Sequence, residues 1–518
     1  MRSHLHTTIA KVVSAATLLM AVVVGGEVRG DVRLPNVVGS NMVLQRDMPV
    51  SVWGWASPGE AVSVEIGSQR ASAETDGSGR WSVQLPAMPA GGPHTMSVAG
   101  KNTIKLENIL VGEVWVCSGQ SNMQWPVSRS LDFEKEAAMA KFPEIRLFQV
   151  PMIPAGLPRD NVNATWKACS PESIPNFSAV SYFFGRELHQ ELDVPIGLIQ
   201  TAWGGTRIEP WTPIIGFESV PEVASIADDV RRTTDKYRVA AASAVETYAE
   251  WLTRADKWLS QAQKAVAAKR EIAAPPAWPR DPVANRGYPT GLYNGMVHAL
   301  VPYRIRGAIW YQGESNNGEG MLYHEKMKAL INGWRTVWDQ GDFPFLFVQL
   351  APYHYNGDPT RLAGMWEAQL ETLRVPNTGM AVTTDIANVK DIHPKNKQDV
   401  GRRLALWALA KSYGRDDVVY SGPLYKSMAV EGSKIRLTFD HAGGGLKSRD
   451  DKPLDWFTIA GEDGAYVPAV AEIDGETLLI SSDKVAKPNA VQFGWNQEAE
   501  PNLVNGTGLP ASPFRTRR

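Results

Sequence analysis

A serine in a Gly-rich turn is the first residue of this chain that could carry covalent chemistry. Ser121 stands in the turn Ser118–Met123, directly after the apolar run Val114–Cys117. A serine just past a buried parallel strand can expose its hydroxyl and point its own backbone N–H into the same space, which suits a nucleophile that must stabilise an oxyanion. Position 123 is Met, so the G-x-S-x-G turn of the common α/β-hydrolases is absent. Ser-Gly turns mostly cap helices, so the hypothesis needs further residues.

Two later loops offer more hydrogen-bond donors for an oxyanion. Gly204 lies in Ala202–Arg207, where a backbone N–H can be exposed, and Gln312 lies in Trp310–Asn316, where a side-chain amide is available. Together with the N–H of Ser121 they predict a three-donor oxyanion hole. Losing one such donor typically costs roughly 3 to 4 kcal/mol of transition-state stabilisation. A tight turn is the simpler interpretation of the paired glycines.

His393 is the candidate general base. A serine nucleophile needs a base with a pKa near neutrality, and that base needs a carboxylate or carbonyl to fix its tautomer. The neighbouring Asp391 is the first candidate for this role; Asp385 is an alternative, and so is a backbone carbonyl, which would leave a Ser-His dyad. A lone histidine is more often a packing or surface residue. His393 is favoured by its acidic neighbour and by its place in a predicted strand-end loop.

These residues are expected to be positioned by a parallel sheet. Helical stretches, including Leu322–Trp338 and Gln398–Tyr413, lie between apolar runs that each end in a Gly-rich or polar loop. Strands that are apolar on both faces and alternate with helices predict a parallel sheet covered on both sides, with its chemistry in loops at the carboxyl ends of the strands. The predicted strands are Val114–Cys117, Ile196–Ile199, Ile305–Tyr311, Phe345–Leu350 and Met380–Val382.

Period-two patterns flank this catalytic region, which is expected to span residues 109–415. Residues 31–108 alternate apolar and polar side chains around a Gly-rich turn and predict an N-terminal β-sandwich domain. Alternation returns over 416–518 and predicts a C-terminal β-rich domain. Within the central region, residues 217–275 contain a long stretch without Gly or Pro in which apolar residues step by three and four. This seam predicts an inserted helical hairpin, with a dimerisation arm as the alternative.

The composition and the amino terminus exclude several classes of partner. Among 518 residues, 53 Lys and Arg stand against 55 Asp and Glu, so there is no basic field for nucleic acid. Residues 1–30 place Arg2 and Lys11 before the apolar run Val12–Val24 and predict a secretory signal peptide. We expect an exported protein, periplasmic or extracellular, with no membrane partner after signal removal. A retained anchor is the alternative, but the run is shorter than the roughly 20 residues that a spanning helix needs.

The cysteine and histidine patterns predict no catalytic metal. Cys117 and Cys169 are the two cysteines, which permits one disulfide or two free thiols. No C-x-x-C or H-E-x-x-H spacing occurs. Acyl transfer through a serine also needs no cofactor. The sequence does not predict an oligomeric state.

Five separated motifs of the chain are Val114–Met123, Gly204–Trp211, Leu292–Met296, Trp310–Asn316 and Asp391–Pro394. Together they resemble the sialate O-acetylesterase family of the SGNH hydrolase superfamily. The terminal segment Gly508–Phe514 is also similar to that family, so the likeness extends over almost the whole chain after residue 30. The resemblance implies an α/β fold with a flavodoxin-like SGNH-hydrolase core: three αβα layers with a parallel sheet, flanked by an N-terminal β-sandwich and a C-terminal β-rich region.

The same resemblance implies a serine carboxylic-ester hydrolase that removes O-acetyl groups from sialic acid. It implies Ser121 as nucleophile, His393 as base, and an oxyanion hole from the N–H groups of Ser121 and Gly204. The implied partner is an acetylated sugar or glycan. The superfamily has Asn where this chain has Glu314, and an ionised carboxylate only accepts hydrogen bonds. Gln312 is therefore the better third donor.

Two residues outside the catalytic set are candidate substrate contacts. Arg207 could pair with a sugar carboxylate, or instead form a salt bridge with Glu209. Trp125 could stack on a sugar ring or pack in the core. Two other functions remain open: an acetyl xylan esterase or other polysaccharide deacetylase using the same site, and a catalytically inactive carbohydrate-binding protein.

Overall fold

The computed structural model describes residues 31–277 and 285–517. The predicted signal peptide, residues 1–30, lies outside the described residues. Within the described ranges, no helix combines the length and the apolar composition needed to cross a membrane.

The first seven strands form two small sheets that lead into the centre of the molecule. In one sheet β4, β3, β6 and β7 are joined antiparallel and β1 pairs with β7 in parallel, while β2 and β5 form a separate pair. Burial alternates along β3 and β5, as the period-two pattern predicts. The strands are β1 (Val43–Gln45), β2 (Val50–Trp55), β3 (Ala61–Ile66), β4 (Gln69–Glu74), β5 (Arg80–Leu85), β6 (Gly91–Ala99) and β7 (Thr103–Gly119).

The central sheet is mixed, and most of its strands are parallel. Its order is β13-β12-β11-β7-β10-β8-β9, with β9 antiparallel to β8. Strand β7 belongs to both sheets: it pairs with β6 near its start, and over Glu113–Gly119 it pairs with β10. The predicted domain boundary at residue 108 therefore lies inside a strand. The further strands are β8 (Ile145–Gln149), β9 (Trp166–Ala168), β10 (Ile196–Ala202), β11 (Gly307–Tyr311), β12 (Phe345–Val348) and β13 (Thr378–Ala381).

Helices pack against this sheet and against each other. Helix α3 packs closely against α8. Glycine at position 401 permits this approach, because a Cβ there would lie 2.7 Å from Cβ of Phe183. The two helices predicted in this region are confirmed: Leu322–Trp338 corresponds to α6, and Gln398–Tyr413 corresponds to α8, which follows the last central strand. The helices are α1 (Ser121–Gln124), α2 (Phe133–Met139), α3 (Ala179–Leu192), α4 (Ile214–Glu218), α5 (Ala224–Ala267), α6 (Met321–Trp338), α7 (Arg361–Thr372) and α8 (Lys397–Ser412).

The hairpin predicted within residues 217–275 is wrong, because α5 is one continuous helix of 44 residues. An apolar step of three and four predicts a helix face but not the point at which the chain turns, and no Gly or Pro is present to end the helix early. The extended chain after α5 runs back along it. Trp251 Nε1 donates to the carbonyl of Pro276 at 3.1 Å, and Trp258 Nε1 donates to that of Ala273 at 2.6 Å.

The carboxyl-terminal region consists of antiparallel sheets. Their orders are β14-β15-β20-β19, β18-β17-β21-β23 and β16-β22. Leu437 and Phe493, both within the stretch 416–518 predicted to be β-rich, lie in the apolar core of this region. The strands are β14 (Leu424–Glu431), β15 (Lys434–Asp440), β16 (Leu446–Ser448), β17 (Phe457–Ala460), β18 (Val467–Pro468), β19 (Val470–Asp474), β20 (Thr477–Ser481), β21 (Ala490–Phe493), β22 (Leu503–Asn505) and β23 (Phe514–Arg515).

Cys117 and Cys169 are both buried free thiols, which decides between the two arrangements that the sequence left open. Burial raises the pKa of each thiol to about 12. Across residues 31–277 and 285–517, no group of three or more His, Cys, Asp and Glu side chains is arranged to hold a metal ion.

Candidate active site

The predicted site residues lie in loops at the carboxyl ends of three adjacent central strands. Ser121 begins α1 just after β7, Gly204 follows β10, and Gln312 follows β11. Backbone hydrogen bonds continue between these loops beyond the strands: the N–H of Gln120 donates to the carbonyl of Tyr311 and the N–H of Trp203 donates to that of Gly119, both at 3.0 Å. The parallel strands β11, β7 and β10 therefore bring the three loops to one edge of the sheet.

The loop of His393 reaches the same edge from the start of α8. Asn122, the residue after Ser121, donates from Nδ2 to the carbonyl of Ile392 at 3.0 Å, across 270 positions of the chain. The ring of Trp125 stacks on the imidazole of His393, with ring centroids 4.8 Å apart and planes 18° apart. The nucleophile turn and the histidine loop are thus in direct contact.

Gly204 packs directly against Ser121. A Cβ built on Gly204 would lie 3.2 Å from Cβ of Ser121 and 3.1 Å from Oε1 of Gln124, so a larger residue would crowd both side chains. The backbone N–H of Ser121 has no acceptor in the part of the chain that the structure describes. The N–H of Gly204 donates to Oε1 of Gln124 at 2.7 Å. The two backbone donors are adjacent, but one of them is occupied by a side chain.

Asp391 lies beside His393 without a hydrogen bond to its ring. Oδ1 of Asp391 accepts from the backbone N–H of His393 at 2.9 Å and stands 3.9 Å from Nδ1. Asp385 is held by Arg403 through two bonds of 2.6 Å, so its carboxylate is committed elsewhere. Burial and then the Lys397 ammonium lower the pKa of His393, while Asp391 acts to raise it. Asp391 is therefore the carboxylate that influences this imidazole.

Gln312 is not directed at the space beside Ser121. Its side chain is fully buried, and Nε2 donates to Oε1 of Gln120 (3.1 Å), the carbonyl of Thr206 (3.2 Å) and Oδ1 of Asn316 (2.8 Å). An amide nitrogen has two hydrogens, so none is left for an oxyanion. The geometry therefore does not favour Gln312 as the third donor; its amide joins the loops instead.

A buried cluster next to Ser121 was not predicted from the sequence. Asn122 donates to Oε1 of Glu314 at 2.5 Å, and its Oδ1 accepts from Nζ of Lys397 at 2.5 Å. Burial raises the pKa of Glu314 and lowers that of Lys397 to about 7. The available signal was that both residues lie within or just after predicted catalytic motifs. Glu314, which has no place in an oxyanion hole, instead orients the amide that holds the histidine loop.

Arg207 forms the salt bridge that the sequence left as its alternative role. It contacts Glu209 at 3.0 Å, contacts Glu319, and donates to the carbonyl of Ser315 at 3.1 Å. Lys326 also bonds to both glutamates. The guanidinium is thus held and largely neutralised by its own chain, which does not favour binding of a substrate carboxylate.

Arg129 offers a second guanidinium close to the site. It lies in the turn Val127–Arg129 and is exposed, with Cζ 5.7 Å from the centroid of the Trp125 ring. Within the described residues it has no ion pair with an acidic side chain. The Trp125 ring therefore lies close to both the Arg129 guanidinium and the imidazole of His393.

Comparison with known proteins agrees with this architecture. A family model described as carbohydrate esterase, sialic acid-specific acetylesterase matches residues 277–410. The crystal structure of a carbohydrate acetylesterase from Xanthomonas citri is 36% identical with a TM-score of 0.79, covering 94% of this chain and 100% of that one. Sialate O-acetylesterase of Rattus norvegicus is 29% identical over 94% of both chains, and that of Homo sapiens is 26% identical over 93% and 92%.

These findings define a carbohydrate esterase, a hydrolase that acts on acetylated sugars. The chain belongs to the sialate O-acetylesterase family.

Proposed function

We propose that this esterase hydrolyses O-acetyl esters of sialic acid or a closely related acidic sugar, with Ser121 as nucleophile and His393 as base. The observation that carries the assignment is the hydrogen bond from Asn122 to the carbonyl of Ile392, which joins the residue after Ser121 to the residue before His393. It supports a Ser-His pair, because both loops then end at one edge of the sheet.

The proposed reaction is a two-step acyl transfer. His393 removes the proton of the Ser121 hydroxyl, which attacks the acetyl carbonyl; the sugar alcohol then leaves with a proton from the imidazolium. Water attacks the acetyl-enzyme by the same proton route and releases acetate. The N–H groups of Ser121 and Gly204 stabilise the oxyanion in both steps. Asp391 favours the imidazolium through its charge rather than through a hydrogen bond to Nδ1.

An acidic sugar is supported by the names of the mammalian relatives and by Arg129. The guanidinium of Arg129 is exposed and has no acidic partner in the described chain. It can donate two parallel hydrogen bonds to a substrate carboxylate. Arg207 lacks this freedom because Glu209 and Glu319 already occupy it. We therefore place the substrate carboxylate at Arg129 and not at Arg207.

The wider architecture supports an SGNH-type core. The five parallel strands β7, β10, β11, β12 and β13, taken without β8 and β9 at one side of the sheet, follow the order 2-1-3-4-5 of a flavodoxin-like sheet when numbered along the chain. We propose that β7 to α8 form this core between the N-terminal sandwich and the C-terminal β-rich region. We also propose export from the cytoplasm, on the pattern of residues 1–30.

Hydrolysis of 4-nitrophenyl acetate tests the catalytic assignment. We expect Ser121→Ala and His393→Ala to lower kcat/KM by at least about a thousandfold, because each removes one member of the nucleophile-base pair. Ser128→Ala, at an exposed serine in the next turn, is the matched control and should keep the wild-type rate. Full activity of Ser121→Ala would overturn the assignment.

Acetate release from O-acetylated sialosides and from acetylated xylan tests the substrate. We expect faster turnover of sialosides, and Arg129→Gln should lower kcat/KM for sialosides about tenfold or more while leaving 4-nitrophenyl acetate unchanged. Arg70→Gln, at an exposed position in β4, is the control for loss of one positive charge. Faster turnover of xylan by a wide margin would overturn the choice of sugar.

A further inference from the structure

The two backbone donors of the proposed oxyanion hole are in different states. The N–H of Ser121 has no acceptor among the described residues, whereas that of Gly204 is bonded to Oε1 of Gln124 at 2.7 Å. Gln124 is the last residue of α1, so the turn that carries the nucleophile also supplies this acceptor. The enzyme therefore holds its own carbonyl oxygen where a substrate carbonyl is expected to bind.

A substrate oxygen and the Gln124 oxygen cannot both bind this N–H. A single N–H makes one good hydrogen bond, and an acceptor at 2.7 Å fills the approach to it. The side chain can rotate away, because Gln124 is partly exposed. Within residues 31–277 and 285–517, the one hydrogen bond of its Nε2 is to the sulfur of Met152 at 3.1 Å, which is a weak acceptor. Rotation into solvent would release Gly204 without breaking a strong contact.

We propose that Gln124 is an internal competitor for the oxyanion hole, which the acetyl carbonyl must displace from Gly204 before Ser121 attacks. This rests on the proposed function, because it takes Gly204 as an oxyanion donor. Gln124 is a positioning residue that acts through Gly204. It keeps the donor paired in the free enzyme and weakens substrate binding by the net strength of one hydrogen bond.

The expected change in kcat/KM depends on which acceptor the substrate replaces at the Gly204 N–H. In the wild type, substrate replaces the Gln124 carbonyl; in a variant without it, substrate replaces water. The net advantage of a neutral intramolecular hydrogen bond over water corresponds to about a three- to tenfold change in an equilibrium constant. Removing the competitor should therefore raise kcat/KM by about that factor, and the change should lie mainly in KM.

Steady-state kinetics with 4-nitrophenyl acetate test this, with rates expressed per active site titrated by diethyl 4-nitrophenyl phosphate so that misfolded protein is not counted. Gln124→Ala and Gln124→Met should both raise kcat/KM about three- to tenfold through a lower KM. Gln124→Glu should lower kcat/KM more than tenfold, because a carboxylate binds the N–H more tightly and repels the oxyanion. Gln149→Ala, which removes one bond to the carbonyl of Asn176, is the matched control and should change neither constant.

The outcomes separate this proposal from the catalytic assignment. Unchanged kcat/KM in Gln124→Ala and Gln124→Met would overturn the competitor role, and a fall in kcat of a hundredfold or more would instead make the Gln124 amide an oxyanion donor. Either result, combined with an inactive Ser121→Ala, leaves the nucleophile assignment standing. An active Ser121→Ala would overturn the assignment itself.

Discussion

Removing the buried cation behind the nucleophile should destabilise the fold about as much as removing the cation together with its acidic counterpart. Lys397 is fully buried, and it meets Glu314 through the amide of Asn122 rather than by direct contact. Breaking a buried charge pair typically costs about 3 to 5 kcal/mol. We expect Lys397→Met and Glu314→Gln each to lower the free energy of unfolding by about 3 to 4 kcal/mol. The double variant should lose about as much as one single variant.

The assay is guanidinium unfolding followed by tryptophan fluorescence at pH 6.5. Burial places the pKa of Lys397 at about 7 in the folded protein, below its ordinary value of 10.5, so the ammonium is charged at this pH and loses its proton as the pH rises further. The coupling should therefore be largest below pH 7 and smaller at pH 9. Lys395→Met, at an exposed position in the same segment, is the control. Single-variant losses that add to within about 0.5 kcal/mol would show that the two charges do not compensate one another.

Substitutions at three further residues test the geometry around the imidazole and the nucleophile. Asp391→Asn removes the carboxylate that raises the pKa of His393, so the acid limb of the kcat/KM profile should move to lower pH; a move to higher pH would contradict the assigned sign. Gly204→Ala places a methyl carbon 3.2 Å from Cβ of Ser121 and should lower kcat/KM at least about tenfold while circular dichroism stays native. Trp125→Leu removes the ring stacked 4.8 Å from the imidazole and should lower kcat several-fold, with Trp125→Phe retaining most of it, since an aromatic pair contributes about 0.5 to 1.5 kcal/mol. Equal rates in the two Trp125 variants would argue against a role for stacking.

The strands and helices that position the site could be predicted because their sequences carry a clear period. The runs Ile196–Ile199 and Phe345–Leu350 became β10 and β12 with small changes at their ends, and Leu322–Trp338 became α6. Topology then follows from general rules, since alternating strands and helices form a parallel sheet. The single continuous helix α5 could not be predicted in this way, because an apolar helix face does not show where the chain turns.

The contacts within the site were less accessible to sequence reasoning. Which loops meet is set by strand order, but whether a donor is free depends on rotamers. Gln312 and Gly204 both carry suitable N–H groups, yet one amide is saturated by three acceptors and the other is bonded to Gln124. In the same way, the role of Glu314 depends on Asn122, nearly 200 positions away in the chain. The spacing of residues along the sequence does not show which side chains form hydrogen bonds with each other.

The shared strand β7 limits how this enzyme can be divided or recombined. A cut after residue 108 would divide the strand within its pairing with β6, which extends to Val111, and would separate its first half from the end that leads to Ser121. It would leave the buried side chains of Ile109, Leu110 and Val111 without the cover of the first sheet. A chimera in which the amino-terminal region is exchanged must therefore include the whole of β7. Such an exchange also replaces the strand that positions Ser121.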